Sequence, residues 1–319
     1  MKKRFFIILL ICLLLLGCEI QHDELEFSKE EEVKSEGEFS TSGGEKTENE
    51  EETENEEETE SGEEEKEEIT FSEMTAADTA DCKIKITDVK EDRLWGYEIQ
   101  VELENKSTDT EQMFSLEYLS VNGVECSCWM ASSILPGKKS VEKISIDDSD
   151  LKDNSVGLFT DIEMGFRVYD NNDWLADDIL NQTVHVYPYG KERAEAFVRQ
   201  SKDSDLVLVD NESVTVIATG YREDTVFHDF EVNLYLVNKT EKSIMYSVRD
   251  CSVNGYMIDP FFATSLHPGK SKFSTISWNY SAFQENGIDA VEVIEFLLTA
   301  YDEDSWSDEF ANEAVELRP

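Results

Sequence analysis

The chain has 319 residues, with 28 Lys and Arg against 72 Asp and Glu and a net charge of −44. A field of that sign repels nucleic acid and anionic membrane surfaces, which excludes both as partners of the folded part and leaves cations or basic surfaces as what it attracts. The length is enough for two domains of ordinary size.

Met1-Lys2-Lys3-Arg4 is a positive start, and Phe5 to Leu16 is an unbroken apolar run of 12 residues. That run falls short of the roughly 20 residues a bilayer-spanning helix needs and has the length of a signal-peptide core. It closes on Leu15-Leu16-Gly17-Cys18, which resembles the lipobox of bacterial lipoproteins, although Leu16 is larger than usual at its position. The resemblance implies that residues 1–17 are a lipoprotein signal peptide and that Cys18 is lipidated and opens the mature chain. The protein would then be anchored to the membrane at its extracytoplasmic face through the lipid on Cys18, each buried methylene contributing ~0.8 kcal/mol.

Residues 19–68 hold 24 acidic and 4 basic side chains, and Glu50 to Glu68 is nearly pure Glu with Thr, Asn and Gly. Such a segment buries too little apolar surface to offset its chain entropy, and its like charges extend it. Residues 18–68 are therefore expected to be the lipidated Cys and a disordered acidic stalk, with a fully stretched reach of about 165–180 Å.

Strand patterns follow. Lys83 to Thr87 alternates at period two, and Tyr97 to Glu104 alternates more cleanly, with Tyr97, Ile99, Val101 and Leu103 on one face. Further strands are expected over Met113 to Val121, up to about Ser133, Ser140 to Ile146, Leu158 to Tyr169 and Thr183 to Tyr187. Asn122-Gly123 is a strong hairpin signal, because both residues tolerate positive φ. About seven short strands between turn signals argue for an immunoglobulin-like sandwich over 69–188. Residues 189–204 read as a linker. Within it Ala194, Phe197 and Val198 fall at helical spacing, which predicts a short helix over Lys191 to Arg199.

The order then repeats over 205–319. Ser120-Val121-Asn122-Gly123, Pro136-Gly137-Lys138, Tyr169-Asp170 and Trp174 return 132 residues later as Ser252-Val253-Asn254-Gly255, Pro268-Gly269-Lys270, Tyr301-Asp302 and Trp306. Without a gap, 18 of 55 positions are identical. About three or four would be expected at ordinary composition, so the domain is duplicated. Asn105-Lys106-Ser107 is answered by Asn238-Lys239-Thr240 at an offset of 133, so one residue is inserted or lost before the next hairpin. The fold expected is all-β: two tandem immunoglobulin-like β-sandwich domains with a short linker helix, preceded by the stalk. At these motifs the repeat resembles a family of uncharacterised Ig-like domains in bacterial surface lipoproteins. The shared motifs are turn and core positions, so the resemblance implies a fold and carries no catalytic residue.

Candidate chemistry is sparse. Cys126 and Cys128 lie two apart, but nothing at a recognisable spacing completes a metal site, and the second copy has Ile258 and Pro260 in their place. His267 stands where the first copy has Leu135, which is not how a base behaves in a duplicated site. The acidic turns Asp170 to Asp173 and Asp302 to Asp304 offer oxygens suited to Ca²⁺, but Asp and Asn are also ordinary turn residues. No catalytic residue, metal site or cofactor is expected. Trp129-Met130 and Phe261-Phe262 occupy equivalent positions. At period two only one of each pair turns inward, which makes Trp129, Phe261 and Phe262 the candidate binding residues. Trp174 and Trp306 are expected to cover the ends of their own sandwiches. The function expected is a non-catalytic, surface-displayed interaction module whose partner is an envelope protein or a cell-wall component. An envelope or wall hydrolase with its site at the domain junction and a ligand-free spacer are the rival expectations.

Overall fold

The computed structural model describes residues 67–92, 96–146, 149–224, 229–306 and 308–319. Residues 1–17, expected to be a signal peptide, Cys18, nearly all of the acidic segment, His22 and His228 lie outside the described residues.

The described chain is predominantly β-sheet. The first copy has nine strands: β1 (Met74–Asp78), β2 (Cys82–Asp92), β3 (Gly96–Asn105), β4 (Gln112–Val121), β5 (Val124–Cys126), β6 (Ala131–Ile134), β7 (Lys139–Ile146), β8 (Ile162–Asp170) and β9 (Leu180–Val186). A short helix, α1 (Ser149–Asp153), joins β7 to β8. The second copy repeats them as β10 (Leu206–Asp210), β11 (Val214–Asp224), β12 (Asp229–Asn238), β13 (Ile244–Val253), β14 (Tyr256–Met257), β15 (Ala263–Leu266), β16 (Ser271–Asn279), β17 (Ile294–Asp302) and β18 (Glu309–Leu317). Here α2 (Tyr280–Glu285) joins β16 to β17.

In the first copy one sheet runs β1-β2-β3-β7, and the other runs β5-β4-β8-β9 with β6 also on β4. The second copy reproduces this as β10-β11-β12-β16 and β14-β13-β17-β18, with β15 on β13. Alternation explains the faces. On β3 the side chains of Tyr97, Ile99, Val101 and Leu103 are buried, while Glu98, Gln100, Glu102 and Glu104 are half-exposed. Against Ile99, Val101 and Leu103 pack Phe114, Leu119, Met164 and Phe166 from the other sheet, forming one core. Val216, Leu234, Leu236, Tyr246, Ile276, Trp278 and Leu298 form a separate second core. Each fully buried large aliphatic side chain contributes about 1.5–3 kcal/mol.

The duplicated motifs are hydrogen-bonded clamps. Asn122 and Gly123 have φ of 52° and 84°, and Asn254 and Gly255 have 51° and 83°. These are the paired positive angles of a two-residue hairpin turn. The Asn122 amide then donates to Leu158 O and its Oδ1 accepts from the backbone of Thr160 and Asp161. Asn254 repeats this with Ala290, Glu292 and Val293. The buried Asn105 donates to Thr110 O and Ile134 O, and Asn238 donates to Lys242 O and Leu266 O. Thr110 and Lys242 are equivalent at an offset of 132, which places the one-residue difference in the turn just after Asn105 and Asn238. Lys106 reaches Asp78 and Thr79 O, and Lys239 reaches Asp210 and Asn211 O, so the Asn and the Lys of each Asn-Lys-Ser/Thr triplet tie their turn to a second one.

Four expectations are corrected. The linker helix is reduced to one 3-10 turn, Lys191–Arg193. Beyond it the chain is drawn out along the first copy, because Glu195 N donates to Thr160 Oγ1 and Phe197 N to Asn122 O. The strand expected from Leu158 begins only at Ile162, since the Asn122 clamp holds 158–161 as a turn. Among the described residues each copy has nine strands rather than about seven, because β1 and its counterpart β10 pair at a sheet edge without a strong apolar alternation, and the strand expected up to about Ser133 is broken into β5 and β6. Trp174 and Trp306 are 41% and 48% exposed, and Trp306 lies beside the Tyr301 ring at 5.2 Å. They flank their turns instead of sealing the cores.

Candidate functional site

Two features stand out: a polar junction between the copies and one protruding aromatic residue on each copy. The junction forms where β16 of the second copy meets β5 of the first, in parallel, with Ser271 opposite Val124. Ser271 N donates to Gly123 O at 3.0 Å, so one sheet runs through both copies. Glu125, only 7% exposed, is the centre of the contact. Its Oε2 accepts from both the backbone N and the ring Nδ1 of His267, at 3.1 and 2.9 Å, and its Oε1 faces Lys272 Nζ at 3.4 Å. The His267 ring stacks on Tyr118 with centroids 4.1 Å apart. Tyr118 donates its hydroxyl to Glu163 at 2.7 Å, and Lys270 also pairs with Glu163. Phe197 of the linker meets Phe273 edge-on. Arg199 holds Asp205 through two bonds of 2.7 and 2.6 Å and lies over the Tyr235 ring.

The electrostatics of this cluster suit adhesion. Burial alone would raise the Glu125 carboxyl, but the His267 hydrogen bonds and the Lys272 charge outweigh it and hold its pKa below the usual range. Glu163 is likewise lowered, burial being outweighed by the Lys270 and Tyr118 hydrogen bonds. Carboxylates held ionised against cations are poor proton acceptors near neutrality. Burial also pushes the Cys126 and Cys128 thiols up to about 12, which makes them weak nucleophiles.

These shifts set the junction's pH dependence. A carboxyl whose folded pKa is depressed contributes stability that is complete above its unfolded value and disappears as pH falls through the folded one. With unfolded Glu near 4.3, the junction is expected to hold down to about pH 4.5 and to loosen below it. Distance between fluorophores placed on the two copies reports this. Glu125→Gln should raise the midpoint of opening, and an acid profile identical to the parent's would mean that Glu125 does not hold the copies together.

The aromatic pairs split as their period requires. Trp129 is 79% and Phe261 85% exposed, whereas Met130 is 5% and Phe262 9% exposed and both lie in the cores. Phe262 is therefore corrected from a candidate binding residue to a core residue. Trp129 occupies the connection between β5 and β6. Phe261 is held against β16 by two backbone bonds with Ser277, at 2.8 and 3.2 Å. Both side chains thus sit at one equivalent place, on backbone fixed by pairing or by the neighbouring core residue.

The acidic turns are structural. Asp170 Oδ1 accepts from Asn172 N, and Asp302 Oδ1 accepts from Asp304 N and Ser305 N. In the second copy the Lys242 ammonium bridges Asp302 and Asp308 at 2.6 and 2.8 Å, taking the place a cation would occupy. Among the described residues no group of three or more His, Cys, Asp or Glu is placed to hold a metal ion.

In the sequence His267 stands out only as a possible base and Lys270 only as part of a turn motif, and Glu125 does not stand out at all, yet a signal for the junction exists. Where the copies face each other the repeat changes character: Glu125 and His267 correspond to Met257 and Leu135. An ionisable residue in one copy opposite an apolar one in the other marks surfaces that the two copies use differently.

No family model matches the chain, and no curated protein does. Among solved structures it is similar to red sea bream transglutaminase, at TM-score 0.23 and 9% identity over 76% of this chain and 31% of that one. It is similar to the exo-β-D-glucosaminidase CsxA at TM-score 0.23 and 10% identity, over 72% of this chain and 26% of that one. Amycolatopsis orientalis exo-chitosanase CsxA gives TM-score 0.20 and 10% identity, with the same coverage of 72% and 26%. The chain spans less than a third of the length of these proteins, and likeness at this level carries no argument about activity.

Proposed function

We propose that this chain is a non-catalytic, membrane-anchored lipoprotein whose two tandem immunoglobulin-like sandwiches are displayed at the bacterial cell surface to bind an envelope protein or a cell-wall component. The observation that carries the reading is the pair Trp129 and Phe261, 79% and 85% exposed at equivalent positions of the two copies. A large apolar side chain left in water on a fixed backbone is costly in the free protein and rewarding once covered. Two of them on one chain allow two-point attachment, in which the second contact forms at a high effective concentration. The strand order supports an immunoglobulin-like assignment: β3 pairs β7 in one sheet, and β4 pairs β8 and β8 pairs β9 in the other, in both copies. The acidic stalk of residues 18–68 would carry the sandwiches away from the membrane.

The anchor is tested by metabolic labelling with a fatty acid. The parent chain should be labelled, and Cys18→Ser should be unlabelled and either released or left as a precursor. Equal labelling of Cys18→Ser would remove the lipoprotein reading. The binding half is tested with Trp129→Ala and Phe261→Ala together, which should lose retention on isolated envelope and wall fractions.

A further inference from the structure

We infer that this chain associates head to tail with a second copy of itself, the β7 edge of one molecule docking on the β14 edge of the next in a repeat of the internal junction. The internal junction uses one edge of each copy, β5 of the first and β16 of the second. The equivalents of those edges are β14 in the second copy and β7 in the first. Among the described residues each stands at the end of its sheet with no further strand beside it. A chain of two copies joined in this way therefore ends in the same two surfaces it has already joined once.

Burial shows that both surfaces are open. Glu125 is buried against His267 and Lys272 of the second copy, while its equivalent Met257 and the neighbouring Tyr256 are 70% and 49% exposed. Ser271 is 9% exposed, while its equivalent Lys139 is exposed. Leu135, in the place of His267, is 58% exposed, and Val141, in the place of Phe273, is 57% exposed. These are apolar side chains on open sheet edges, which proteins ordinarily blunt or cover.

The two surfaces also match. Superposing the internal contact on a junction between molecules puts Leu135 where His267 meets Glu125, and Met257 where Glu125 was. The hydrogen-bonded polar pair becomes an apolar pair, with both partners changed together. Lys138 takes the place of Lys270 and Glu295 that of Glu163, so the second ion pair is retained in the same sense. The backbone N of Lys139, in register with that of Ser271, meets Gly255 O as Ser271 N meets Gly123 O. Several internal contacts are not repeated: Ser140 stands in the place of Lys272, so its contact with Glu125 has no counterpart. Asp250 stands in the place of Tyr118, which removes the ring under His267 and the hydroxyl on Glu163. The association between molecules is accordingly weaker than the internal one and depends on local concentration, which a shared membrane surface would raise. A heterologous contact of this kind builds a ring where its rotation closes and an open row where it does not, and either product contains more than two molecules.

The test uses the purified full chain. Leu135→Cys and Met257→Cys combined in one molecule, treated with a short bis-maleimide, should give a ladder of dimers, trimers and higher species. Each single variant should give no ladder beyond that of the parent. Adding Lys138→Glu to the double variant should reduce the ladder about tenfold through like-charge contact with Glu295, and adding Glu295→Lys as well should restore it. Lys138 and Glu295 are exposed, so neither change threatens the fold. A double variant without a ladder, a single variant that gives the same ladder, or a Lys138→Glu chain that cross-links undiminished would each overturn the inference. Trp129 and Phe261 are not part of these contacts, so the result is independent of what those residues bind.

Discussion

Asn238→Ala is expected to destabilise the second copy by about 3–5 kcal/mol, because one side chain ties two turns together from inside the protein. Asn238 is 1% exposed. Its amide donates to Lys242 O, Leu266 O and His267 O at 2.7, 2.9 and 3.1 Å, and its Oδ1 accepts from the backbone N and hydroxyl of Thr240. Alanine leaves these groups without their partner in a space too confined for free hydration, and the cost is that of desolvated polar groups rather than of one lost bond. At the size of the folded unit this corresponds to a fall in Tm on the order of 10 °C for the transition of that core. Asn105→Ala should act in the same way on the first core. A calorimetric scan in which Asn238→Ala melts within about 2 °C of the parent would show that the clamp is dispensable.

Trp278→Ala should cost a similar amount, about 3–5 kcal/mol, by a different route. Trp278 is 1% exposed in the second core, and its indole N–H donates to Ile258 O at 3.0 Å. The first copy has Ile146 at the equivalent place, also fully buried, so the position is apolar in both and the second copy has grown its core around a larger ring. Trp278→Ile is therefore the informative partner to Trp278→Ala. It keeps a residue that this position accommodates in the sister copy, but it leaves the Ile258 carbonyl unpaired and a smaller void. Chemical denaturation should place it between the parent and Trp278→Ala. Equal midpoints for parent and Trp278→Ala would mean that the ring contributes nothing to the core.

What was legible in the sequence is what local chemistry determines. Tyr97 to Glu104 alternates because one face of β3 is core, and Asn122-Gly123 and Asn254-Gly255 announce hairpins because they tolerate positive φ. The repeat exposed the turn motifs, although not that Asn105, Asn122 and their equivalents act through their side chains on distant backbone. The linker helix failed because helical spacing was outweighed by backbone bonds to Asn122 and Thr160, far away in sequence. α1 and α2, at 5 and 6 residues, are too short to leave a periodic signature. The junction was hidden for the same reason as the linker: Glu125 and His267 are 142 residues apart, and only the packing of the copies gives their charges meaning. Trp129 and Phe261 were legible as alternating pairs, but which member faced outward required the core.

The most direct test of the functional account is retention of the purified protein on an isolated envelope and cell-wall fraction, compared between the parent and Trp129→Ala/Phe261→Ala. Both side chains are largely in water, so the double variant should melt like the parent, surface substitutions of this kind staying within about 0.5 kcal/mol of it. The account predicts that the parent is retained, that each single variant is retained more weakly, and that the double variant is lost by more than either single change implies, as two-point attachment requires. Retention of the folded double variant at the parent's level would contradict it.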